Sequence, residues 1–112
     1  MTQAPQAAEP HDRTIVTVFR SRLRPDAGES YEHTADDMEK YAREMPGFVD
    51  FKTFVAPDGE RVSLVVFASR EAHDAWRDDP RHRAAQARGR ADWYSEYSIQ
   101  VCELVALREF KR

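Results

Sequence analysis

The chain has 112 residues, of which 41% are hydrophobic and 33% charged, so it has room for one domain with one modest core. The formal net charge of −3 argues against general nucleic-acid binding, and no apolar run approaches the ~20 residues of a membrane span. The first ten residues lack the pattern of a secretory signal and a single cysteine permits no internal disulfide, so we expect a cytoplasmic protein without nucleic-acid or membrane partners.

The N-terminal quarter predicts an arm, a strand and the start of a helix. Residues 1–13 contain two prolines and no hydrophobic period, which indicates a flexible arm, and residues 14–112 form the domain. The β-branched run from Thr14 to Leu23 predicts the first strand. Asp26 and Glu29 resemble a capping box, so a helix should follow. Its core-facing residues recur at helical spacing and are Tyr31, Ala35, Met38, Ala42 and Met45.

Two strands follow that helix and form a predicted β-hairpin. They run from Phe48 to Ala56 and from Arg61 to Phe67, and the residues between them, 57–60 (PDGE), are typical of a turn. The second strand is apolar on nearly both faces, which is typical of a central strand.

The last third predicts a broken helix and a final strand. Ser69 is an expected N-cap, and Asp79 followed by Pro80 predicts a second helix start. This second helical piece should extend from His82 to about Tyr94, and the last strand should occupy residues 98–107. The order β-α-β-β-α-β predicts a ferredoxin-like α+β fold, an antiparallel four-stranded sheet with helices on one face. Its bare second face predicts a homodimer.

Several side chains could serve a pocket or the core. Trp76 could wall a pocket for a flat ring or anchor the core. His82 lies beside Arg83, whose charge should keep the imidazole neutral near pH 7 and available as a base, although a surface or capping histidine is the alternative. Tyr94 is a second candidate base.

Other polar and aromatic residues have two interpretations each. Five arginines within residues 77–90 could bind an anionic substrate or form a solvated helix face. Trp93 and Tyr97 could line a pocket for a flat ring or lie in a dimer interface, and we expect the interface because aromatic residues are enriched there. Cys102 is expected to be a small buried hydrophobe.

Three motifs occur in order along the chain: residues 45–48 (MPGF), 58–61 (DGER), and Trp76 followed by residues 79–83 (DPRHR). With these motifs the chain resembles, over residues 14–105, the antibiotic biosynthesis monooxygenase domain family. The resemblance implies a dimeric α+β barrel in which each subunit has a pocket between its sheet and its helices. Members of that family include cofactor-free oxygenases of phenols or quinols and haem-degrading monooxygenases.

The haem-degrading branch of the family is matched only in part. The resemblance implies an Asn on the first strand, a Trp on the second helix, and an axial His about three turns later. Trp76 matches the Trp, but the His position falls at Gln86 and the Asn position near Phe19. If haem binds, His82 or His73 would have to hold the iron.

The sequence and the resemblance together predict a small cofactor-independent monooxygenase, an oxidoreductase that acts on an aromatic phenol or quinol. The predicted catalytic residues are His82, Trp76 and Tyr94, and the predicted substrate-binding residues are Phe19, Arg20, Gln86, Arg83 and Tyr31. The alternatives are a haem-binding or haem-degrading protein and a ligand-binding homodimer without catalysis.

Overall fold

The structure is a computed structural model that describes residues 13–112. Its elements are β1 (Ile15–Leu23), α1 (Gly28–Glu44), β2 (Phe48–Val55), β3 (Arg61–Phe67), α2 (Arg70–Asp78), α3 (Pro80–Arg88), a π-helical turn (Gly89–Trp93) and β4 (Tyr94–Glu103). The predicted arm, apart from Arg13, lies outside the described residues. Within residues 13–112, no helix combines the length and the apolar character needed to cross a membrane.

The four strands form one antiparallel sheet in the order β2-β3-β1-β4. The strands β3 and β1 are central, as the apolar character of β3 predicted, and β2 and β4 are the edges. The helices pack on one face of this sheet, so the predicted ferredoxin-like α+β fold is confirmed.

Alternation along the strands divides the sheet into two faces. The inner face, toward the helices, carries Phe19 of β1 and Val65 of β3. The outer face carries aliphatic side chains that are only half-buried in the protomer: Val16, Val18, Val62, Leu64 and Val66.

The core consists of two clusters under the helices. In one cluster Phe67 of β3 packs with Ala42 of α1 and Trp76 of α2. In the other, Tyr31 of α1 packs with Trp93, whose indole Nε1 donates to Ser30 Oγ at 3.0 Å. Because Trp93 is only 3% exposed inside the protomer, its predicted place in a dimer interface is wrong.

The N-caps of α2 and α3 are those that the sequence predicted. Ser69 Oγ accepts the backbone N–H of Ala72 at 3.1 Å, which satisfies a free amide at the start of α2. Asp79 does the same for Arg81 at 2.8 Å, and Pro80 occupies the first helical position of α3.

The predicted capping box of α1 is wrong. The helix begins at Gly28 after Ala27, and no side chain in the described part of the chain caps it. The carboxylate of Asp26 is instead bound by the guanidinium of Arg24, which lies two residues earlier.

The last strand begins and ends four residues before its predicted position. β4 pairs with β1 from Tyr94 opposite Leu23 to Glu103 opposite Ile15, so the length of β1 sets the length of β4. The residues after Glu103 extend past this pairing, and Val105 is 79% exposed. The predicted helical piece is also shorter, because α3 ends at Arg88 and the π-helical turn leads into β4.

Candidate functional site

A cavity of about 450 Å³ lies between the inner face of the sheet and the helices. This volume is within the range of about 300–1,000 Å³ that is usual for small-molecule sites. The two core clusters close its two ends, with Trp76 in one and Tyr31 in the other. Aromatic and aliphatic groups supply most of the cavity surface, although nearly half of its lining residues are polar or charged.

Trp76 and His82 form one wall of the cavity. The break between α2 and α3 at Asp79 brings the imidazole flat against the indole, with ring centroids 4.3 Å apart and planes 17° apart. His82 Nδ1 lies 3.2 Å from the backbone carbonyl oxygen of Trp76. Because a carbonyl oxygen can only accept a hydrogen bond, Nδ1 carries the hydrogen and donates it. In the neutral ring, Nε2 is then the basic nitrogen.

Burial lowers the pKa of His82 below its usual value of 6.5. The carbonyl oxygens of Trp76 and Arg77 and the carboxylate of Asp79 oppose this effect, and His73 adds to it. The imidazole is thus neutral near pH 7, as the sequence predicted, but its burial is the main cause and Arg83 is not.

Tyr94 lies at the opposite end of the cavity from Trp76 and is held by other aromatic rings. Its ring packs edge-on against Phe19 at 5.5 Å and Tyr31 at 5.9 Å between centroids. Burial, with the neighbouring Tyr31, raises the pKa of the Tyr94 phenol far above its usual value of 10. Tyr94 therefore stays protonated and can donate a hydrogen bond, so its predicted use as a base is not supported.

Six predicted site residues line the cavity and two do not. The six are Phe19, Tyr31, Trp76, His82, Gln86 and Tyr94. Arg20 lies on the outer face, because it follows Phe19 directly in β1, and its guanidinium pairs with Glu60 at 2.7 Å. Arg83 is an exposed residue of α3 outside the cavity lining. Arg20 and Arg83 therefore do not line the cavity, contrary to their predicted role in substrate binding.

The helix arginines near residue 80 are largely paired with carboxylates. Arg77 lies 3.0 Å from Asp78, and Arg81 lies 3.1 Å from Asp79. These pairs are consistent with a solvated helix face, the second of the two interpretations given above.

Two further cavity residues carry polar chemistry: His73, which the sequence analysis named only as an alternative iron ligand, and Arg61. His73 is only 7% exposed, and its Nδ1 lies 2.8 Å from Asp74 Oδ1, which leaves Nε2 as its second nitrogen. Arg61, on the inner face of β3, was assigned only to a motif. Arg61 precedes Val65 by four residues and Phe67 by six in the same strand. This even spacing indicates that the three side chains lie on one face of the sheet, and it could have placed Arg61 in the cavity.

Comparisons with known proteins agree with this architecture. A family model described as antibiotic biosynthesis monooxygenase matches residues 14–88. The uncharacterized protein YqjZ of Bacillus subtilis (strain 168) is 29% identical over 94 residues, which cover 84% of this chain and 82% of that protein.

Solved structures share the fold. Rv0793 from Mycobacterium tuberculosis is 24% identical with a TM-score of 0.73, and the match covers 88% of this chain and 99% of Rv0793. A mutant of SnoaB, a cofactor-independent oxygenase from Streptomyces nogalater, is 15% identical with a TM-score of 0.71. That match covers 88% of this chain and 96% of SnoaB.

Proposed function

Since the chain belongs to the antibiotic biosynthesis monooxygenase family, we propose that it is a monooxygenase that oxidises an aromatic phenol or quinol without a metal or an organic cofactor. The observation that carries this proposal is the His82–Trp76 pair. It places a neutral imidazole, fixed through Nδ1, in the wall of an apolar cavity of suitable size. The oxygenase title of SnoaB, whose fold is shared, is consistent with it.

The proposed chemistry begins with removal of the phenol proton by His82 Nε2. The resulting phenolate is electron-rich enough to reduce O2, which the neutral phenol is not. One oxygen atom of O2 becomes a ring carbonyl, and the other leaves as water with the two hydrogens that the substrate loses. For a phenol the balance is one phenol plus one O2 to one quinone plus one water. For a quinol the inserted oxygen becomes a ring hydroxyl, and the balance is one quinol plus one O2 to one hydroxyquinone plus one water.

Other cavity residues would position the substrate. Trp76 and Phe19 supply aromatic surfaces for a flat ring, and the polar side chain of Gln86 lies among them. Tyr94, which stays protonated, can donate a hydrogen bond to a substrate oxygen. The cavity thereby places a candidate base, His82, near a hydrogen-bond donor, Tyr94, and aromatic surfaces for the ring.

Oxygen consumption tests this proposal. Purified protein is supplied with 1-naphthol, and oxygen uptake and quinone absorbance are recorded for the wild type, His82→Gln, the control His33→Gln and a sample without protein. His33 is an exposed residue of α1 outside the cavity. We expect His82→Gln to lower kcat about 10²- to 10⁴-fold and the control to be unchanged. Saturable binding without oxygen uptake by the wild type would instead identify a non-catalytic ligand-binding protein.

Haem binding is a second candidate because two histidines line the cavity. His82 and His73 are each held at Nδ1, by a carbonyl and by a carboxylate, and this arrangement is common among histidines that ligate metals through Nε2. Titration with hemin decides between the candidates. A Soret band that saturates at one haem per subunit, and that His82→Ala or His73→Ala abolishes, would favour haem over the cofactor-independent reaction.

We also propose that the outer face of the sheet packs against a second copy of the chain. Its half-buried aliphatic row, which includes Val18 and Leu64, and the 48% exposed ring of Phe54 leave apolar surface in contact with water. Light scattering should give about twice the protomer mass of 13.0 kDa, and Leu64→Lys should reduce it to the protomer mass. A folded wild-type monomer at micromolar concentration would contradict this. The expected cytoplasmic location stays a prediction.

A further inference from the structure

Arg61 is a cation in the cavity whose guanidinium forms no ion pair with the residues that the structure describes. In the sheet it pairs with Ser21 of β1 and Val55 of β2, and its side chain lies on the same face as Ser63 and Val65. Its Nε is buried and has no hydrogen-bond partner among residues 13–112. A charged donor that is buried without a partner is unfavourable, so a ligand that accepts from it gains affinity.

Comparable arginines are neutralised by the protein itself. On the outer face, Arg20 and Arg22 hold carboxylates at 2.7 and 2.8 Å, and the cavity-lining Arg77 holds one at 3.0 Å. Arg61 takes part in no ion pair with any residue between 13 and 112. The cavity therefore contains one cation that no carboxylate of the described chain compensates.

The surroundings of Arg61 are aromatic. Its guanidinium carbon lies 5.4 Å from the centroid of the Tyr31 ring, and its charge acts on the Tyr94 phenol. Such a setting favours a flat ligand that presents an anionic oxygen to the guanidinium fork. The acidic residues of the cavity lining do not fill this role: Glu32 and Asp36 are exposed on α1, and Glu39 pairs with Arg43 at 2.9 Å.

We propose that Arg61 is the anion-binding residue of the cavity and that the ligand is a planar aromatic carboxylate. The carboxylate accepts hydrogen bonds from the Arg61 guanidinium, including the buried Nε, and the rings extend between the aromatic walls toward Trp76.

The positions of Arg61 and His82 define the shape of this ligand. The His82–Trp76 pair packs beside Phe67 and Val65, and Val65 is four residues from Arg61, a distance of about 13 Å along an extended strand. The side chains of Arg61 and His82 cover part of this backbone separation, and we take two fused rings as the ligand that spans the rest. That a reacting hydroxyl lies at the His82 end rests on the proposed function, whereas the anion site at Arg61 does not.

Binding without turnover tests the inference. Isothermal titration calorimetry under argon compares 6-hydroxy-2-naphthoate with its neutral analogue 6-hydroxy-2-naphthamide. The proteins are the wild type, Arg61→Gln, Arg61→Lys and Arg108→Gln. Arg108 is exposed and outside the cavity, so its replacement is a control for the loss of one positive charge.

We expect the wild type and Arg108→Gln to bind the acid about 10- to 100-fold more tightly than the amide. Arg61→Gln should bind both equally, and Arg61→Lys, which keeps the charge but loses the fork, should retain part of the preference. If Arg61→Gln does not fold, Arg61→Lys is the test: a preference for the acid below that of the wild type supports the inference, and an unchanged preference overturns it. The inference is overturned if Arg61→Gln keeps the full preference, or if the wild type shows none or does not bind the acid at millimolar concentration.

These outcomes are separate from those of the oxygen-uptake assay. An acid preference that depends on Arg61, in a protein that consumes no oxygen, would support the anion site and reject the monooxygenase. Oxygen uptake that depends on His82, without a preference for the acid, would support the monooxygenase and reject the anion site.

Discussion

Replacement of Gly89 by alanine should displace the ring of Tyr94. Gly89 begins the π-helical turn with φ −59° and ψ −45°, a backbone conformation that any residue can adopt. A Cβ at this position would lie 2.5 Å from Cε2 and 2.8 Å from Cδ2 of Tyr94. The first of these contacts is 0.9 Å shorter than the 3.4 Å at which ordinary contact begins. Either the ring or the turn must therefore move.

Two opposing effects set the magnitude. Alanine in place of glycine in a helical conformation stabilises by up to about 1 kcal/mol. Overpacking costs about 1–3 kcal/mol, and the Tyr94 ring has little freedom because it packs at 5.5–5.9 Å against Phe19, Tyr31 and Tyr97. The clash should exceed the gain, and the free energy of unfolding should fall by about 1 kcal/mol.

A double-mutant cycle measures the clash directly. Urea unfolding is recorded for the wild type, Gly89→Ala, Tyr94→Ala and the double variant. Without the ring, Gly89→Ala should be neutral or stabilising, and the coupling between the two sites should be about 1–3 kcal/mol. If Gly89→Ala destabilises equally in both backgrounds, the steric reasoning is refuted. The single variant should also bind 6-hydroxy-2-naphthoate more weakly, because the displaced ring lines the cavity.

Three further predictions concern other residues. Folding lowers the pKa of His82, so as the pH falls below about 6.5 the imidazole takes up a proton in the unfolded chain before it does so in the folded protein. The free energy of unfolding should therefore decrease as the pH falls below about 6.5, and less steeply in His82→Gln. Equal slopes of the two proteins in urea unfolding at different pH values would contradict this. Asp79→Ala removes the N-cap of α3 and should lower the free energy of unfolding by about 1 kcal/mol at pH 7, and an unchanged denaturation midpoint would exclude that role. Arg20→Gln should leave 6-hydroxy-2-naphthoate affinity unchanged in calorimetry, since Arg20 lies on the outer face with Glu60, and weaker binding would contradict that placement.

The elements that local chemistry defines could be predicted from the sequence. Asp79 followed by Pro80 determines a helix start within three residues, and the turn at residues 57–60 joins two strands that are adjacent in the chain. The ends of β4 could not be predicted in this way. They depend on the pairing with β1, which lies about 80 residues earlier in the chain. The apolar run of residues 98–107 continues past Glu103, the last residue of that pairing, so the run alone does not show where β4 ends.

The candidate site could be predicted only in part. Phe19 and Arg20 were both expected in the cavity, although consecutive residues of a strand point to opposite faces, so only one of them could be there. Arg61 was missed because an arginine at the beginning of a strand usually faces water, and its lack of a partner depends on the distances to all other carboxylates. The stacking of His82 on Trp76 depends on the angle between α2 and α3, which no local pattern specifies.

The alternation of the sheet gives this protein a practical property for directed evolution. Ten of the eleven strand positions that line the cavity carry odd numbers: 17, 19, 51, 53, 61, 63, 65, 97, 99 and 101. The exception is Tyr94, which lies beyond the register shift between β1 and β4. A combinatorial library limited to these codons can vary ligand specificity while the even-numbered positions keep the outer face constant. Deletion of a single residue within a strand would exchange the two sets, so such a library should contain substitutions only.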